Sequence, residues 1–272
     1  MLIVPALDLR GGKVVRLYRG CLDRATVYSS DPVEEARRWV EAGARRLHLV
    51  DLDGAACGYP VQLDLVARVI RAVDVPLQVG GGLRSEAQVA RVLEAGAQWA
   101  ILGSAAARDP DLVGRCLERW PDRIMVSLDL RGGRVALDAW QKTAAMDGVA
   151  LARFWGERGL RDLIVTDADR DGTLAGVDPA LWEPFLGGPW RLWAAGGVAG
   201  EEDLRRLAAL APRGLAGVIV GRAIYAGVLD LRRTDLVSGA NDTGKGTDGA
   251  GNRDDAGTTD GVRGVGRCWH GG

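Results

Sequence analysis

The stretch Leu7-Asp8-Leu9-Arg10-Gly11-Gly12 decides the fold, because the same six residues return as Leu128-Asp129-Leu130-Arg131-Gly132-Gly133. Each copy ends an apolar run, so each places an Asp at the tip of a predicted strand and a glycine turn directly after it. The chain therefore contains an internal duplication, with two similar halves.

The duplication continues along both halves in the same order. Four strand-and-loop signals in each half predict eight strand–helix units, and eight such units close into a barrel. We therefore predict the α/β class and a single (β/α)8 TIM barrel built from two half-barrels. The further matched pairs are Leu47-His48-Leu49-Val50-Asp51 with Leu163-Ile164-Val165-Thr166-Asp167, Val79-Gly80-Gly81-Gly82-Leu83 with Ala194-Ala195-Gly196-Gly197-Val198, and Ala100-Ile101-Leu102-Gly103-Ser104 with Val218-Ile219-Val220-Gly221-Arg222.

The length of the chain fits one barrel and a tail. Such a barrel takes about 250 residues, and the chain has 272, so we assign 1–236 to the barrel. Residues 237–272 are rich in Gly, Asp and Thr and have few apolar side chains, so we expect them to be disordered. The last predicted helix, 223–231, is the weak point of the barrel.

Helix-start signals divide the rest of the barrel. Asp31-Pro32 and Asp109-Pro110 each combine an N-cap Asp with a proline at the first helical position, and Ser85 with Gln88 has the spacing of a capping box. A further helix is predicted near 179–185, between the sixth and seventh strands.

Composition limits the classes of partner. The net charge of −1 shows no excess of positive charge of the kind that favours binding to nucleic acid or to an anionic membrane. No apolar run approaches the roughly 18 residues of a membrane span, and the first residues lack a secretory signal. We expect a cytoplasmic monomer that acts on a small molecule. The four cysteines, Cys21, Cys57, Cys116 and Cys268, lack metal-ligand spacing and the only histidines are His48 and His270, so we expect no zinc site and no disulfide.

Asp8 and Asp129 are the candidate catalytic pair. Active sites of such barrels lie at the carboxyl ends of the strands, and the first and fifth strands face each other across the barrel. Two carboxylates over one pocket can act as general acid and general base. An Asp after a strand often only caps a turn, but the symmetric pair favours catalysis.

Glycine-rich turns form the second group of candidate site residues. Glycine lets the backbone approach an oxyanion, and amides at the start of the following helix can hold a phosphate. Single turns of this kind are often only tight connections, but their duplication predicts a substrate with a phosphate at each end. The candidate phosphate-binding residues are Gly81, Gly82, Gly103 and Ser104 in the first half and Gly196, Gly197, Gly221 and Arg222 in the second.

Longer motifs at the strand ends resemble a known family, the histidine-biosynthesis isomerases that convert the aminoaldose ProFAR to the aminoketose PRFAR. The resemblance covers residues 1 to about 230. It implies an Amadori rearrangement of a bis-phosphorylated substrate without metal or organic cofactor. The motifs that carry it are Val4-Pro5-Ala6-Leu7-Asp8-Leu9, Leu49-Val50-Asp51-Leu52-Asp53-Gly54-Ala55, Gly80-Gly81-Gly82-Leu83-Arg84, Thr166-Asp167-Ala168-Asp169-Arg170-Asp171-Gly172-Thr173-Leu174 and Gly196-Gly197-Val198.

The resemblance also implies roles for individual residues. Asp8 matches the general base that removes the proton from C2′ of the ribose, and Asp129 matches the general acid that protonates the ring oxygen. Thr166 and Asp171 match a polar pair that positions the substrate near the acid. Trp140, in the loop after the fifth strand, matches a Trp that stacks on the imidazole ring, and Arg84 matches a phosphate or carboxylate partner. Each has a plainer interpretation, as a strand residue for Thr166, a turn residue for Asp171, a packed side chain for Trp140 and a surface residue for Arg84.

Two departures and three alternatives remain open. The chain has Arg19-Gly20-Cys21 where the family often has Gln-Gly-Asp, and Ala195 where it often has Ser. The alternatives are an isomerase that also accepts phosphoribosylanthranilate, the related cyclase that makes imidazole glycerol phosphate, and a non-catalytic phosphosugar-binding barrel. His48, between two leucines, is expected to be a packed histidine.

Overall fold

Eight parallel strands form the closed barrel that the duplication predicts. The computed structural model describes residues 1–18, 20–137, 142–143 and 147–233. Each strand pairs in parallel with the next, and the eighth pairs with the first through Leu2 and Gly217. The strands are β1 (Leu2–Arg10), β2 (Leu47–Asp51), β3 (Leu77–Gly80), β4 (Trp99–Leu102), β5 (Ile124–Arg131), β6 (Asp162–Asp167), β7 (Arg191–Ala195) and β8 (Leu215–Val220).

The helices connect the strands on the outside, and their predicted caps are confirmed. The Asp31 side chain accepts from the amides of Val33 and Glu34, and Ser85 and Asp109 each accept from the amide three residues on. The helices are α1 (Pro32–Glu41), α2 (Leu52–Cys57), α3 (Leu63–Arg71), α4 (Glu86–Glu94), α5 (Ser104–Arg108), α6 (Pro110–Arg119), α7 (Gly148–Gly156), α8 (Glu201–Ala208) and α9 (Arg222–Tyr225).

Two predicted helices differ from the structure. The segment 179–185 forms two 3-10 turns, Pro179–Leu181 and Glu183–Phe185, in place of one α-helix. Pro184 explains the break, because it has no amide to donate to the preceding turn. The helix predicted over 223–231 is the single turn α9, followed by a 3-10 turn at Leu231–Arg233. The predicted tail, 237–272, lies outside the described residues, so its disorder stays a prediction.

Hairpins that the sequence analysis missed extend two strands beyond the barrel rim. Lys13–Tyr18 folds back antiparallel on β1 and pairs with Cys21–Ser29, and Arg134–Leu137 folds back on β5 and pairs with Lys142–Thr143. The repeated glycines make both turns. Gly11 and Gly12 have φ of 54° and 77°, and Gly132 and Gly133 have 53° and 75°, which is the positive-φ pair of a tight hairpin.

Buried side chains fill the lower end of the barrel interior, and a pocket remains at the carboxyl ends of the strands. Arg46 is buried and lies over the rings of Trp99 and Trp193, with its guanidinium carbon 3.7 and 4.3 Å from their centroids. Apolar side chains fill the layers above. These buried residues are Val4, Ala6, Ile101, Met125, Ile164, Ala195 and Ile219.

The described helices include none that is both long and apolar enough to span a bilayer.

Candidate active site

A pocket opens at the carboxyl ends of the strands, and both predicted catalytic aspartates line it. Asp8 lies near the end of β1 and Asp129 near the end of β5. Three strands separate β1 from β5 in either direction around the barrel, so the two carboxylates approach the pocket from opposite sides. The structure therefore brings together the pair on which the sequence analysis depended.

Arg16 is a charged residue of this pocket that the sequence analysis missed. It lies on the hairpin strand that folds back on β1, and its Nη1 donates to Oδ2 of Asp8 at 2.5 Å while Nη2 donates to the carbonyl of Ala6 at 2.9 Å. Burial by itself would lower the pKa of Arg16, but the charge of Asp8, with Tyr225 and Asp171, raises it. A lone charge within the apolar run Val14-Val15-Arg16-Leu17 was the signal in the sequence.

Polar side chains surround Asp129 on the opposite side of the pocket. The Ser127 hydroxyl donates to Oδ1 of Asp129 at 3.3 Å. Thr166 is buried and is the direct neighbour of Asp129 in the register of β5 and β6. Asp171 follows β6 and lines the same pocket. Thr166 thus lies beside Asp129, whereas Asp171 also lies near the Asp8–Arg16 pair, because the charges of Arg16 and Asp8 act on its pKa and the next residue, Gly172, packs against the carbonyl of Leu17.

Asp171 is the carboxyl group whose protonation the pocket changes most clearly. Burial raises the pKa of Asp171 to about 7, and the negative charges of Asp8, Asp129 and Asp167 act in the same direction against the positive charge of Arg16. Near neutral pH, protonated and ionised forms of Asp171 therefore coexist. That is the property required of a general acid.

His48 faces the pocket, whereas the sequence analysis expected a packed histidine. It is half-buried and lines the pocket floor, because alternate residues of β2 point into the barrel. Its Nδ1 lies 2.9 Å from Nε2 of Gln78. Burial, followed by the charge of Arg16, lowers the pKa of His48 to about 3, so the ring is neutral.

Four of the predicted phosphate-binding glycines are required by close contact between loops. A Cβ on Gly81 would collide with the carbonyl oxygen of Asp51, and one on Gly196 would lie 2.5 Å from that of Asp167. Gly82 and Gly197 are equally confined, by Gly54 and Gly176. Gly81 and Gly82 line the pocket, while Gly196 and Gly197 are not among its described lining residues.

The loops after β4 and β8 present a different environment. A Cβ on Gly103 would meet no atom within 4 Å, and this residue caps α5 beside Ser104 at the pocket wall. Gly221 caps α9 and also lines the pocket, where the Arg16 guanidinium packs against it. Arg222 points elsewhere, since its Nη1 donates to the carbonyl of Gly172 at 2.5 Å.

The remaining predicted substrate residues are Arg84 and Trp140. Arg84 is exposed at the rim of the pocket, and its Nη2 lies 3.5 Å from the carbonyl oxygen of Ala55. Trp140 lies outside the described residues, as does Arg19. Within the described ranges, His, Cys, Asp and Glu side chains form no group of three or more that could hold a metal ion.

Comparison with known proteins adds independent information. A family model described as "Histidine biosynthesis protein" matches residues 2–230. A protein of Moorella thermoacetica is 45% identical over 243 residues, covering 89% of this chain and 100% of the relative. A protein of Halorhodospira halophila is 47% identical over 233 residues, covering 85% and 94%. Both relatives are named 1-(5-phosphoribosyl)-5-((5-phosphoribosylamino)methylideneamino)imidazole-4-carboxamide isomerase.

Proposed function

Because the chain belongs to the histidine biosynthesis protein family, we propose that it catalyses the isomerisation for which its relatives are named. The reaction implied is the Amadori rearrangement of the aminoaldose ProFAR to the aminoketose PRFAR. It is an internal redox reaction, in which C2′ of one ribose is oxidised while C1′ is reduced. No external oxidant or reductant is consumed.

The observation that carries the proposal is that one pocket holds carboxyl groups in two different environments. The Asp8 carboxylate, the proposed proton acceptor, is paired with the Arg16 guanidinium, which offsets its charge. Burial raises the pKa of Asp171, which leaves a carboxyl group that can donate a proton. Carboxyl groups with such contrasting environments are what acid–base catalysis at neutral pH requires.

The rearrangement then proceeds in two stages. In the first, an acid in the pocket protonates the ring oxygen as its bond to C1′ breaks, which opens the ribose and leaves an iminium ion at C1′. In the second, Asp8 removes the proton from C2′, and the resulting enolamine becomes the ketone when C1′ takes up a proton and the 2′-hydroxyl releases its own. The resemblance assigns the role of the acid to Asp129. Asp171, whose pKa is raised, is a second candidate because it can carry a proton near neutral pH.

The substrate named for the relatives contains two phosphoribosyl groups, and we propose that the paired loops hold its two phosphates. Gly103 and Ser104 in one half and Gly221 in the other lie at the pocket, each beside the first amides of a helical turn. Those amides have no intrahelical acceptor and can donate to a phosphate. Arg16, packed against Gly221, adds a positive charge beside the second loop.

Related activities are outcomes of the same test. The relatives described above are named as isomerases, which favours ProFAR isomerisation over the cyclase reaction. An additional activity on phosphoribosylanthranilate would need a smaller substrate to reach the same carboxylates. The monomeric state and the cytoplasmic location stay predictions from the sequence.

The direct experiment is a coupled assay of the purified chain with ProFAR, beside phosphoribosylanthranilate and the cyclase substrate. The proposal expects turnover of ProFAR. It also expects Asp8→Asn to lower kcat by about 10²- to 10⁴-fold while KM changes little. Parallel measurements on Asp129→Asn and Asp171→Asn assign the acid, because only the acid's loss removes the alkaline limb of the pH–rate profile. Unchanged turnover in all three variants would refute the proposal.

A further inference from the structure

Gln78 links the floor of the pocket to the bottom of the barrel. Its side chain is fully buried on β3, with Nε2 2.9 Å from Nδ1 of His48 and Oε1 3.5 Å from Nη1 of Arg46. The three side chains therefore form a continuous polar chain through an interior that is otherwise largely apolar.

The donors and acceptors in this chain can be arranged in one way only. A guanidinium only donates hydrogen bonds, so the Gln78 atom that faces Arg46 is the amide oxygen. The amide nitrogen must then face His48, and because it only donates, Nδ1 of His48 must accept. In a neutral imidazole, an accepting Nδ1 leaves the proton on Nε2.

We propose that Gln78 is a positioning residue that holds His48 as the neutral Nε2–H tautomer, so that the ring offers one hydrogen-bond donor to the substrate. The tautomer follows from the geometry alone, while its effect on turnover rests on the proposed function. A donor in the pocket, on the strand next to that of Asp8, is suited to an oxygen that gains negative charge during the proton transfers.

The second half of the barrel shows that this chain is not required by the scaffold. At the positions equivalent to Arg46, His48 and Gln78, the second half has Asp162, Ile164 and Trp193. The hydrogen bond between Arg46 and Gln78 has a counterpart in the second half, where Nε1 of Trp193 donates to Oδ1 of Asp162 at 2.8 Å. The residue above is then apolar, so only the first half extends its polar chain into the pocket.

The surrounding charges also favour a neutral ring. Arg16 on the neighbouring hairpin and Arg46 below are both positive, and Gln78 on β3 is uncharged. The carboxylate of Asp8, on β1, is paired with Arg16. His48 is therefore expected to stay neutral through the range in which histidines ordinarily titrate.

Imidazole ¹⁵N NMR tests the tautomer directly. The variant His270→Gln leaves His48 as the only histidine, so its spectrum needs no further assignment. We expect a pyridine-like Nδ1 and a pyrrole-like Nε2 that stay unchanged between about pH 5 and pH 8. A protonated Nδ1, or a ring that titrates in this range, would overturn the proposal.

Variants of Gln78 in the same background test the positioning role. Gln78→Glu replaces the donor by an acceptor, so we expect Nδ1 to become protonated and kcat/KM to acquire a new pH dependence. Gln78→Met removes the hydrogen bond at similar volume, and we expect mixed tautomers and about a tenfold lower kcat/KM.

Trp193→Phe is the matched control. It removes the buried hydrogen bond between Trp193 and Asp162 in the second half and keeps an aromatic ring against the guanidinium of Arg46. It should leave the His48 spectrum as in the parent. Wild-type kcat/KM and an unchanged spectrum in Gln78→Met would overturn the positioning role. Absence of ProFAR turnover in the parent would refute the proposed function, while the spectrum would still decide the tautomer.

Discussion

Arg16 holds Nη1 2.5 Å from Oδ2 of Asp8, and the two side chains are only 11% and 15% exposed. The ion pair depends on the hairpin that follows β1, because the register of that hairpin places Val15 opposite Asp8 and Arg16 next along the strand. The glycine turn of the repeated hexapeptide therefore does more than end a strand. It turns the chain back so that a cation reaches the Asp8 carboxylate.

Removing the cation should lower the activity. In Arg16→Met, the Asp8 carboxylate loses the ion pair and the hydrogen bond that fix its orientation in the pocket. We therefore expect kcat/KM for ProFAR to fall by about tenfold or more. Steady-state kinetics with ProFAR measure this loss.

Arg24→Met is the matched control for that measurement. Arg24 is exposed on the second hairpin strand and lies over the ring of Tyr18. This variant should keep the wild-type kcat/KM. An equal loss in both variants would mean that net charge, and not the Asp8 ion pair, sets the activity.

The raised pKa of Asp171 predicts how stability changes with pH. The folded pKa, about 7, exceeds the ordinary value of 3.8, so between these values the folded state binds more protons than the unfolded state. The contribution of this group to stability therefore falls as pH rises through that interval, by at most about 1.4 kcal/mol per pH unit. Asp171→Asn should remove the fall.

Urea unfolding at about pH 5 and pH 8 measures the effect. The free energy of unfolding of Asp171→Asn should exceed that of the wild type at the higher pH and approach it at the lower. Asp74→Asn, at an exposed position, is the control and should not change the pH dependence. A wild type whose stability does not fall through this interval by more than Asp171→Asn would contradict the inferred burial of charge.

The glycines of the phosphate loops should separate into two classes. Gly81 has φ of +111° and no room for a Cβ beside Asp51, so Gly81→Ala should cost about 3 kcal/mol or more of stability. Gly103 has negative φ and open space, so Gly103→Ala should fold normally. Its methyl group would project toward the proposed phosphate, and we expect a higher KM for ProFAR at wild-type stability. An unchanged KM would place the phosphate elsewhere.

Two symmetric hydrogen bonds offer a test of the duplication. The amide of Gly11 donates to Oδ2 of Asp53 at 2.7 Å, and the amide of Gly132 donates to Oδ2 of Asp169 at 2.7 Å. Each bond connects a hairpin turn to the segment that follows the next strand, which is α2 for Asp53 and a turn for Asp169. We expect Asp53→Ala and Asp169→Ala each to cost about 0.5 to 1.5 kcal/mol in urea unfolding.

The two losses should also add. The hairpins follow β1 and β5 on opposite sides of the barrel, so the double variant should lose the sum of the single losses to within about 0.5 kcal/mol. A coupling larger than this would show that the two half-barrels do not respond independently at their rims.

Much of the fold could be predicted because its signals are local and repeated. The strand runs, the Asp31-Pro32 and Asp109-Pro110 caps and the two hexapeptides depend on neighbours in sequence, and each is confirmed by the structure. The helix predicted over 179–185 was wrong, because the effect of Pro184 inside the run was not weighed.

The site was predicted only in part because pockets are made by residues distant in sequence. Asp8, Asp129, Thr166 and Asp171 were identified, and the structure brings all four to one pocket. Arg16 was missed, because its importance depends on a hairpin register that the sequence pattern did not reveal. The glycines were treated as one class, and only their three-dimensional surroundings distinguish Gly81 from Gly103.

By itself, the sequence determined that the chain is a duplicated barrel with a carboxylate at the tips of two opposed strands, since periodicity and repeats are properties of the chain alone. Tertiary structure decided the protonation and hydrogen bonding of the side chains around those strand ends. Proton affinity and tautomer depend on burial and on which charges and donors lie within a few ångströms. Only folding brings Arg16 to Asp8, buries Asp171 among other carboxylates, and places Gln78 beside His48.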